Sequence, residues 1–424
     1  MGCPILQKKS IRLMGRLYDW SMNLAWLTLN CIGVFNAKIK AFVEGRNHQE
    51  TISNITSPIW FHCASVGEFE QARPLIENIK KKHPTQNILL TFFSPSGFNH
   101  LQDYPLVDAV LYSPFDTKRQ VREFLKSYQP KSVILIKYEF WKNLITETWQ
   151  MGIPIYSVSS IFREDQHFFR WYGKSSAKDL EKIKFFFVQN QESKKLLHDI
   201  GIAQSNVTGD TRFDRVLDIS SKSKALDIFS DFLPENGKCI VAGSTWPKDE
   251  ALIQKALAKM DGDWKLLIAP HEVHNDRIES ILKLFSQDHP LRLSNSPASA
   301  LKSSRVIVID SIGLLNRLYK LGDICYVGGG FGDGVHNILE AAVWGKPVLF
   351  GPNHKKFTEA MELQHLGGGI SFDSIENGVA RLLELKSDHS EITRRGKVSK
   401  EYVYKNKGAT TKILRHLKDS GILK

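Results

Sequence analysis

A glycine-rich stretch in the second half of the chain constrains the fold most strongly. Residues 328–340 read Gly-Gly-Gly-Phe-Gly-Asp-Gly-Val-His-Asn-Ile-Leu-Glu and follow a compact apolar run, residues 324–327. An apolar run of this length predicts a buried strand. The apolar residues 341–344 predict a helix after the turn, and residues 346–352 predict another short strand. The segment is therefore predicted as a βαβ unit with a ligand site at the carboxyl ends of its strands.

The turn itself predicts an anion site. A strand, a glycine-rich turn and a helix expose backbone N–H groups that bind a phosphate. Asn337 and Glu340 stand three residues apart at the predicted helix start, where the Glu340 carboxylate can accept two hydrogen bonds from a ribose. The spacing is not that of a dinucleotide fingerprint. The alternative is an ordinary turn in which Asn337 caps the helix and Glu340 is its capping-box partner.

Strands alternate with helices on both sides of a polar stretch, which predicts mainly parallel sheets with helices on both faces. At 424 residues the chain is too long for one compact core. We predict an N-terminal helical segment and linker at 1–47 and two doubly wound α/β domains at 48–222 and 223–424, facing a cleft. Turns at Pro234 and Gly237 mark the boundary region.

The charge and the cysteines narrow the function classes. A net charge of +12 fits nucleic acid, an anionic membrane or an anionic substrate. No basic run is interleaved with aromatic residues as in single-strand binders, so nucleic acid is the least favoured partner. The five cysteines are scattered without paired spacing, which favours a reducing compartment and argues against a zinc or disulfide framework. No metal-ligand spacing is present, so no metal is predicted.

The N-terminal segment carries an uncharged stretch, residues 20–37, between basic flanks. Its length allows a marginal membrane span, but three asparagines within it are poorly suited to hydrocarbon. We predict an amphipathic helix that lies in the membrane interface, with Trp20 and Trp26 at headgroup depth. The alternative is a soluble helix packed on the next domain. No cleavage site follows, so no signal peptide is expected.

Three charged residues in the first half are candidates for chemistry. Glu68 follows Gly67 at the end of a predicted strand, where a carboxylate can act as a general base; the alternative is a charge that stabilises a helix N-terminus. Glu139 lies between aromatic residues, where burial raises a carboxyl pKa unless a cation pairs with it. Arg212 is a candidate partner for a carboxylate or phosphate; the alternative is an exposed salt bridge.

Two short segments in the second half are weaker candidates. Residues 243–245, Gly-Ser-Thr, can present hydroxyls and N–H groups to an anion, or can be an ordinary helix cap. Pro270 and His271 follow a predicted strand, so that the backbone can meet a flat base or the imidazole a phosphate. Taken singly, His271 and His336 are expected to be structural.

Taken together, these motifs resemble one family. The chain resembles the 3-deoxy-D-manno-octulosonic acid (Kdo) transferases of Gram-negative bacteria, which build the inner core of lipopolysaccharide. The Ser-Val-Gly-Glu and His-Asn-x-x-Glu elements together are specific, and the resemblance extends from about Trp60 to Phe357. The segments that carry it, in the family's order, are 60–68, 137–141, 207–214, 243–245, 270–272 and 328–340.

The resemblance implies a B-type glycosyltransferase with two Rossmann-like domains. It implies CMP-Kdo as donor, a lipid A precursor (lipid IVA) as acceptor, inversion at the anomeric carbon, and no metal or other cofactor. It places the enzyme at the cytoplasmic face of the inner membrane. It also implies that Glu68 is the catalytic base and that Glu139 and Arg212 stabilise the transition state.

Nine residues align with the family's nucleotide site: Pro270, His271, Ile312, Gly313, Leu314, Asn337, Ile338, Leu339 and Glu340. The chain departs from the family pattern at three points. Arg212 stands where many relatives have Lys, His271 where the family has Arg, and Ile312-Gly313-Leu314 where it has Met-Gly-Glu. These departures leave open another sugar-nucleotide enzyme of the same fold, such as a UDP-sugar transferase or epimerase.

Overall fold

The computed structural model describes residues 4–49, 52, 55–223, 229, 232, 238–261 and 263–423, and of residues 4–14 and 298 the backbone alone. The predicted turns at Pro234 and Gly237 lie outside the described residues. The chain forms two compact units, one of Met1–Arg215 with Lys407–Lys424 and one of Val216–Asn406.

The first unit is built on one parallel sheet of seven strands. Its strands are β1 Ile59–Cys63, β2 Ile88–Phe92, β3 Ala109–Tyr112, β4 Ser132–Ile136, β5 Ile155–Ser160, β6 Phe185–Val188 and β7 Ser205–Val207. The strand order is β3-β2-β1-β4-β5-β6-β7. Every residue of β1, β2 and β4 is buried, as expected for strands covered by helices on both faces.

Helices precede and separate these strands. They are α1 Pro4–Gly33, α2 Ala37–Asn47, α3 Val66–Lys82, α4 Pro95–Leu101, α5 Lys118–Tyr128, α6 Lys142–Gln150, α7 Lys174–Leu180, α8 Gln191–Asp199 and α9 Thr211–Lys222. Apolar side chains of α3 such as Phe69 and Leu75 pack against β1 and β2 in one buried cluster. Because β1 and β4 are neighbours, the connections that leave them diverge, and a crevice opens at their carboxyl ends.

The second unit repeats the arrangement. Its parallel strands are β8 Lys238–Thr245, β9 Trp264–Pro270, β10 Leu291–Arg292, β11 Val306–Val308, β12 Ile324–Val327, β13 Val348–Phe350 and β14 Gly369–Ser371. The strand order is β10-β11-β9-β8-β12-β13-β14. β8 and β12 are therefore the neighbours from which the connections diverge. The prediction of two doubly wound α/β units is confirmed.

The helices of the second unit are α10 Pro247–Leu257, α11 Asn275–Leu284, α12 Ala298–Ser303, α13 Leu315–Leu318, α14 Leu339–Ala342, α15 Thr358–Leu366, α16 Ile375–Ser387 and α17 His389–Lys405. Side chains of α10, α11 and α16 pack with β8 and β9 in a single core around the buried Trp264. This core fixes the strand ends that carry the predicted nucleotide residues.

The chain ends in the first unit. Helix α18, Ala409–Asp419, follows Lys407, where the chain returns to that unit. The carboxylate of Asp214 accepts hydrogen bonds from the N–H groups of Gly408 and Thr410 at 2.6 and 2.7 Å, which satisfies free donors at the helix start. The predicted second domain ran to residue 424, so this return corrects its C-terminal limit.

One side of the N-terminal helix α1 packs on the first unit. The Tyr18 hydroxyl donates to Asp116 at 2.6 Å, and Trp26 packs on Phe115 with tilted rings whose centres are 4.9 Å apart. The predicted uncharged stretch is interrupted, because α1 ends at Gly33 and Asn36 caps α2. Within the part of the chain that the structure describes, no helix has the length and apolar character needed to cross a membrane.

Candidate active site

Glu68 lies in the first turn of α3, directly beyond β1. Its side chain is buried, with 8% of its surface exposed, and Oε2 accepts the N–H of Ala64 at 2.6 Å. Burial, followed by the negative charge of Glu139, raises the pKa of Glu68 to about 8. The carboxyl group thus accepts a backbone N–H from the residue before the N-cap of α3 and binds a proton near neutral pH.

Glu139 lies just beyond β4, the strand next to β1. It is also buried, and Oε2 accepts the indole N–H of Trp141 at 2.6 Å and lies 3.5 Å from Nε2 of His62. Burial disfavours the charged carboxylate, but hydrogen bonds from His62 and Trp141 outweigh it and hold the pKa of Glu139 below its ordinary value. The sequence predicted a raised pKa unless a cation pairs with Glu139, and here the pKa is lowered because His62 contributes both a hydrogen bond and electrostatic attraction and Trp141 contributes a further hydrogen bond.

The two carboxyl groups therefore differ in their protonation near neutral pH. Glu139 is ionised, and Glu68 retains a proton up to a pKa of about 8. Lys137 stands between the strand end and Glu139, in a left-handed conformation with φ of 65°, and its charge partly offsets the rise in the pKa of Glu68. Carboxyl groups whose pKa values are driven apart can take separate acid, base and charge-stabilising roles.

Arg212 lies at the start of α9 and binds its neighbour Asp210. Its Nε and terminal amino group lie 2.9 and 2.8 Å from Oδ2 of Asp210. Asp210 is buried, and Arg212 nonetheless holds its pKa below the ordinary value. Gln71, one turn beyond Glu68 on α3, donates to the same carboxylate at 3.1 Å. The ion pair is mostly buried rather than exposed, and it ties Arg212 to the helix of Glu68.

Two contacts of Glu139 were not predicted as site residues. His62 lies inside the fully buried strand β1, and Trp141 immediately precedes α6. The available signal was the polar His62 within an otherwise apolar strand, because a buried polar side chain requires a partner. The partner itself depends on the adjacency of β1 and β4, which a single sequence does not reveal.

The glycine-rich loop of the second unit follows β12 and owes its glycines to close backbone contacts. Gly329 has φ of 91°, and a Cβ atom there would lie 2.5 Å from the Gly334 carbonyl oxygen. A Cβ at Gly330 would lie 2.6 Å from the backbone of Gly351. The helix predicted at 341–344 begins two residues earlier than expected: α14 spans Leu339–Ala342. The strand predicted at 346–352 is limited to β13.

Asn337 and Glu340 contact each other in this loop. The Asn337 amide donates to Oε1 of Glu340 at 3.1 Å, and its carbonyl accepts the N–H of Leu339 at 3.3 Å. Ile338 and Leu339 are buried. Because α14 is a single turn, few peptide dipoles align there, and the expected anion site at its N-terminus is weak. A ribose-binding role for Glu340 stays a prediction.

Three aromatic rings stack where β8, β9 and β12 end. The Trp246 and His271 ring centres are 4.9 Å apart, and those of His271 and His336 are 4.5 Å apart. The Trp246 indole N–H donates to Nε2 of His336 at 3.2 Å. Burial, then His271, lowers the pKa of His336 to about 4, and burial also lowers the pKa of His271. Both imidazoles are therefore neutral at pH 7.

Asp249 on α10 ties this stack to the glycine-rich loop. It accepts the N–H groups of Trp246 and Gly329 at 2.9 and 3.0 Å and the Tyr326 hydroxyl at 2.6 Å. The hydroxyl of Thr245 donates to Glu250 at 2.9 Å. The Thr245 hydroxyl is therefore engaged with a side chain of α10, and the N-terminus of that helix is capped at Trp246 by Asp249.

The other predicted nucleotide residues are distributed around these strand ends. Pro270 is the last residue of β9. Ile312 is 71% exposed, and Gly313 has φ of 93° in the loop before α13. Leu314 caps α13. The structure thus joins His271 to His336 and Asn337 to Glu340, whereas Ile312 and Gly313 face solvent.

A cavity of about 960 Å³ lies beside the glycine-rich loop in the second unit. Its lining carries three basic and three acidic residues, which are Lys355, Lys356, Arg381, Asp333, Asp373 and Glu384. The volume suits a small-molecule ligand. None of the nine predicted nucleotide residues lines it. Among the described residues, no group of three or more His, Cys, Asp or Glu side chains is placed to hold a metal ion.

Comparisons with known proteins assign the family. Residues 37–215 match the family model described as 3-Deoxy-D-manno-octulosonic-acid transferase (kdotransferase). The chain is 30% identical to a 3-deoxy-D-manno-octulosonic acid transferase of Aquifex aeolicus, over 81% of this chain and 90% of that protein. It is 27% identical to the enzyme of that name from Haemophilus influenzae, over 85% and 86%.

The fold is shared more widely. The UDP-GlcNAc 2-epimerase of Neisseria meningitidis superposes with a TM-score of 0.60 at 17% identity, over 85% of this chain and all of that one (100%). The sequence relatives, rather than this fold likeness, decide the class. On their evidence the chain belongs to the family of 3-deoxy-D-manno-octulosonic acid transferases and is a glycosyltransferase with a B-type fold.

Proposed function

We propose that this enzyme transfers Kdo from CMP-Kdo to a lipid A precursor, lipid IVA, with inversion at the anomeric carbon. The observation that carries the proposal is the pair of buried carboxyl groups, Glu68 and Glu139, beyond adjacent strands of the first unit. Near neutral pH one is ionised and the other binds a proton readily. Membership of the Kdo transferase family supplies the sugar.

Glu68 acts as the general base. Its carboxylate takes the proton of the acceptor hydroxyl while that oxygen bonds to the anomeric carbon. The bond from this carbon to the phosphate oxygen breaks, and CMP leaves with the electron pair. A pKa of about 8 makes the carboxylate a stronger base than an ordinary glutamate, which suits proton transfer near neutral pH. The Ala64 N–H holds the group in place.

Glu139 and Arg212 act through charge. The ionised Glu139 stabilises the positive charge that develops on the sugar as the donor bond breaks. Arg212 supplies positive charge for the departing phosphate, and its bond to the buried Asp210 orients it. A guanidinium in this role lets transfer proceed without a metal ion or other cofactor. We expect full activity in the presence of EDTA.

The donor nucleotide binds at the strand ends of the second unit. Glu340, which is held in place by Asn337, accepts hydrogen bonds from the ribose hydroxyls. His271 is neutral and stacked between Trp246 and His336, so it offers the phosphate a hydrogen bond rather than a charge. We expect His271→Ala to raise the KM for CMP-Kdo about tenfold, the loss of one hydrogen bond, with little change in kcat.

An exposed apolar stripe on α1 supports action at a lipid surface, and we propose that this surface is the cytoplasmic face of the inner membrane. Four exposed apolar side chains recur along α1 at intervals of three and four residues: Leu17, Trp20, Leu24 and Leu27. Of the Trp20 side chain, 67% is exposed. Such a stripe lies in the headgroup region of a bilayer. The net charge of +12 favours anionic lipid.

The test is transfer of radiolabelled Kdo from CMP-Kdo to lipid IVA in detergent micelles, with EDTA present in a parallel sample. UDP-N-acetylglucosamine and UDP-glucose are offered as competing donors because His271 and Leu314 depart from the family pattern. The proposal is supported if labelled product forms from CMP-Kdo and no product forms from either UDP-sugar. Product from a UDP-sugar, or none from CMP-Kdo with folded protein, contradicts it.

A further inference from the structure

A continuous set of hydrogen bonds runs through the core of the first unit to Glu139. The Trp60 indole N–H donates to Oγ1 of Thr91 at 2.8 Å, and the same oxygen lies 2.9 Å from Nδ1 of His62. On the other side of the ring, Nε2 of His62 lies 3.5 Å from Oε2 of Glu139. Trp60, His62 and Thr91 are buried on the adjacent strands β1 and β2.

These contacts determine where the hydrogen of the His62 ring lies. A neutral ring with its hydrogen on Nδ1 would turn the lone pair of Nε2 toward the ionised carboxylate of Glu139. A hydrogen therefore lies on Nε2 in the neutral ring as in the charged ring, and in the neutral ring Nδ1 accepts the hydroxyl hydrogen of Thr91. The Thr91 oxygen remains free to accept from Trp60. Every polar atom of the set is then satisfied, as buried groups require.

We propose that His62 is a positioning residue for the transfer reaction, which holds the Glu139 carboxylate ionised and fixed beside Glu68. The inference rests on the proposed function, because it assigns Glu139 a charge that the reaction uses. His62 touches neither the donor nor the acceptor. It acts through one N–H group whose direction Thr91 and Trp60 set.

The surroundings of the pair explain why this N–H matters. The titratable groups around the two carboxyls are Cys63 at the end of β1, Lys137 beyond β4 and His62 itself. Two carboxyls in one buried site cannot both ionise readily. Without His62, the hydrogen bond from Trp141 is the one that Glu139 keeps among the described residues, and burial then favours its protonated form. Protonated Glu139 cannot stabilise positive charge on the sugar.

The test compares three variants with the wild type. His62→Phe keeps a ring but removes the N–H. His62→Gln keeps an amide N–H near the position of Nε2. Thr91→Val removes the hydroxyl that orients the ring and serves as a second probe if His62→Phe is unstable. Circular dichroism and thermal unfolding report whether each variant is folded.

The first readout is kcat as a function of pH between about 5 and 9. In the wild type we expect kcat to fall about tenfold per pH unit below 8, since only Glu68 gains a proton. In His62→Phe the fall steepens at acidic pH because Glu139 also gains a proton, so we expect the ratio of variant kcat to wild-type kcat to be several-fold lower at about pH 5.5 than at about pH 8.5. His62→Gln restores the wild-type slope, and the KM for CMP-Kdo stays unchanged.

A second readout does not depend on activity. In a Glu68→Gln background, ¹³C-carboxyl labelling of glutamate gives the pKa of Glu139 by NMR, and we expect His62→Phe to raise it. An unchanged pKa, or equal loss of kcat in His62→Phe and His62→Gln at every pH, would overturn the inference. A wild type without Kdo transfer would instead contradict the proposed function, and the NMR titration would still decide the role of His62.

Discussion

Glu139 and Glu68 follow neighbouring strands of one sheet, and the charge of the first adds to burial in raising the pKa of the second to about 8. Burial alone would raise the pKa of Glu139, but His62 and Trp141 outweigh burial and keep this carboxyl group ionised. The site thus holds one proton between two carboxyl groups at neutral pH, and that proton resides on Glu68. The charge of Glu139 therefore contributes to the basicity of Glu68.

Replacing Glu139 by Gln removes a negative charge beside Glu68. We expect the pKa of Glu68 to fall, so that the rising part of the kcat–pH profile moves to lower pH by about one unit. The maximal kcat also falls, because the charge that stabilises the sugar is lost. Steady-state transfer between about pH 5.5 and 9 measures both effects. A profile that stays in place would show that the two groups do not interact.

The raised pKa of Glu68 also predicts how stability depends on pH. The folded state binds this proton more tightly than the unfolded chain, so the stability it contributes is full below about pH 4.5 and is lost as pH rises toward 8. From about pH 6.5 to 8.5 we expect the free energy of unfolding to fall by on the order of 2 kcal/mol more in the wild type than in Glu68→Gln. Urea unfolding at both pH values measures the difference. Equal losses would place the pKa of Glu68 near its ordinary value.

The fold was predictable because it depends on local patterns. Compact apolar runs separated by amphipathic segments are the signature of parallel strands with helices on both faces. Glu68 and Glu139 were predictable as candidates because each follows such a run. The interaction between Glu68 and Glu139 was not predictable, because it depends on the strand order that makes β1 and β4 neighbours.

A substitution at Gly329 tests why the loop of the second unit is rich in glycine. A Cβ atom at this position would lie 2.7 Å from Cδ2 of His336, and its φ of 91° disfavours any other residue. We expect Gly329→Ala to destabilise the protein by at least about 2 kcal/mol. Gly332→Ala is the matched control, because a Cβ there meets only the Gly329 carbonyl oxygen at 3.6 Å. If urea unfolding showed the same loss of stability in both variants, a specific requirement for glycine at position 329 would be refuted.

Long-range contacts explain what the sequence did not predict in the second unit. His271 and His336 are 65 positions apart, and each looked structural when taken singly. They stack because β9, β8 and β12 are consecutive in the sheet. The return of α18 to the first unit is equally non-local, since Asp214 binds Gly408 across almost half the chain.

The stripe on α1 predicts binding to lipid. Replacing both Trp20 and Leu27 by Ser removes two large exposed apolar side chains while leaving the Tyr18 contact with Asp116. Each such side chain contributes about 1.5–3 kcal/mol when buried, so we expect at least a tenfold loss of binding to phosphatidylglycerol-containing vesicles in sedimentation. Trp149→Ser, an exposed tryptophan on α6, is the control. Equal binding by all three proteins would exclude α1 as the contact.

The most direct test of the account is the kcat of Glu68→Gln for transfer of Kdo from CMP-Kdo to lipid IVA at about pH 8.5. The Gln side chain still accepts the Ala64 N–H, so the fold is preserved while the base is lost. We expect kcat to fall by about 10²–10⁴-fold, whereas Glu70→Gln, two residues along α3 in a partly exposed ion pair with Arg73, keeps wild-type activity. Transfer by Glu68→Gln at the wild-type rate would contradict the assignment of the base.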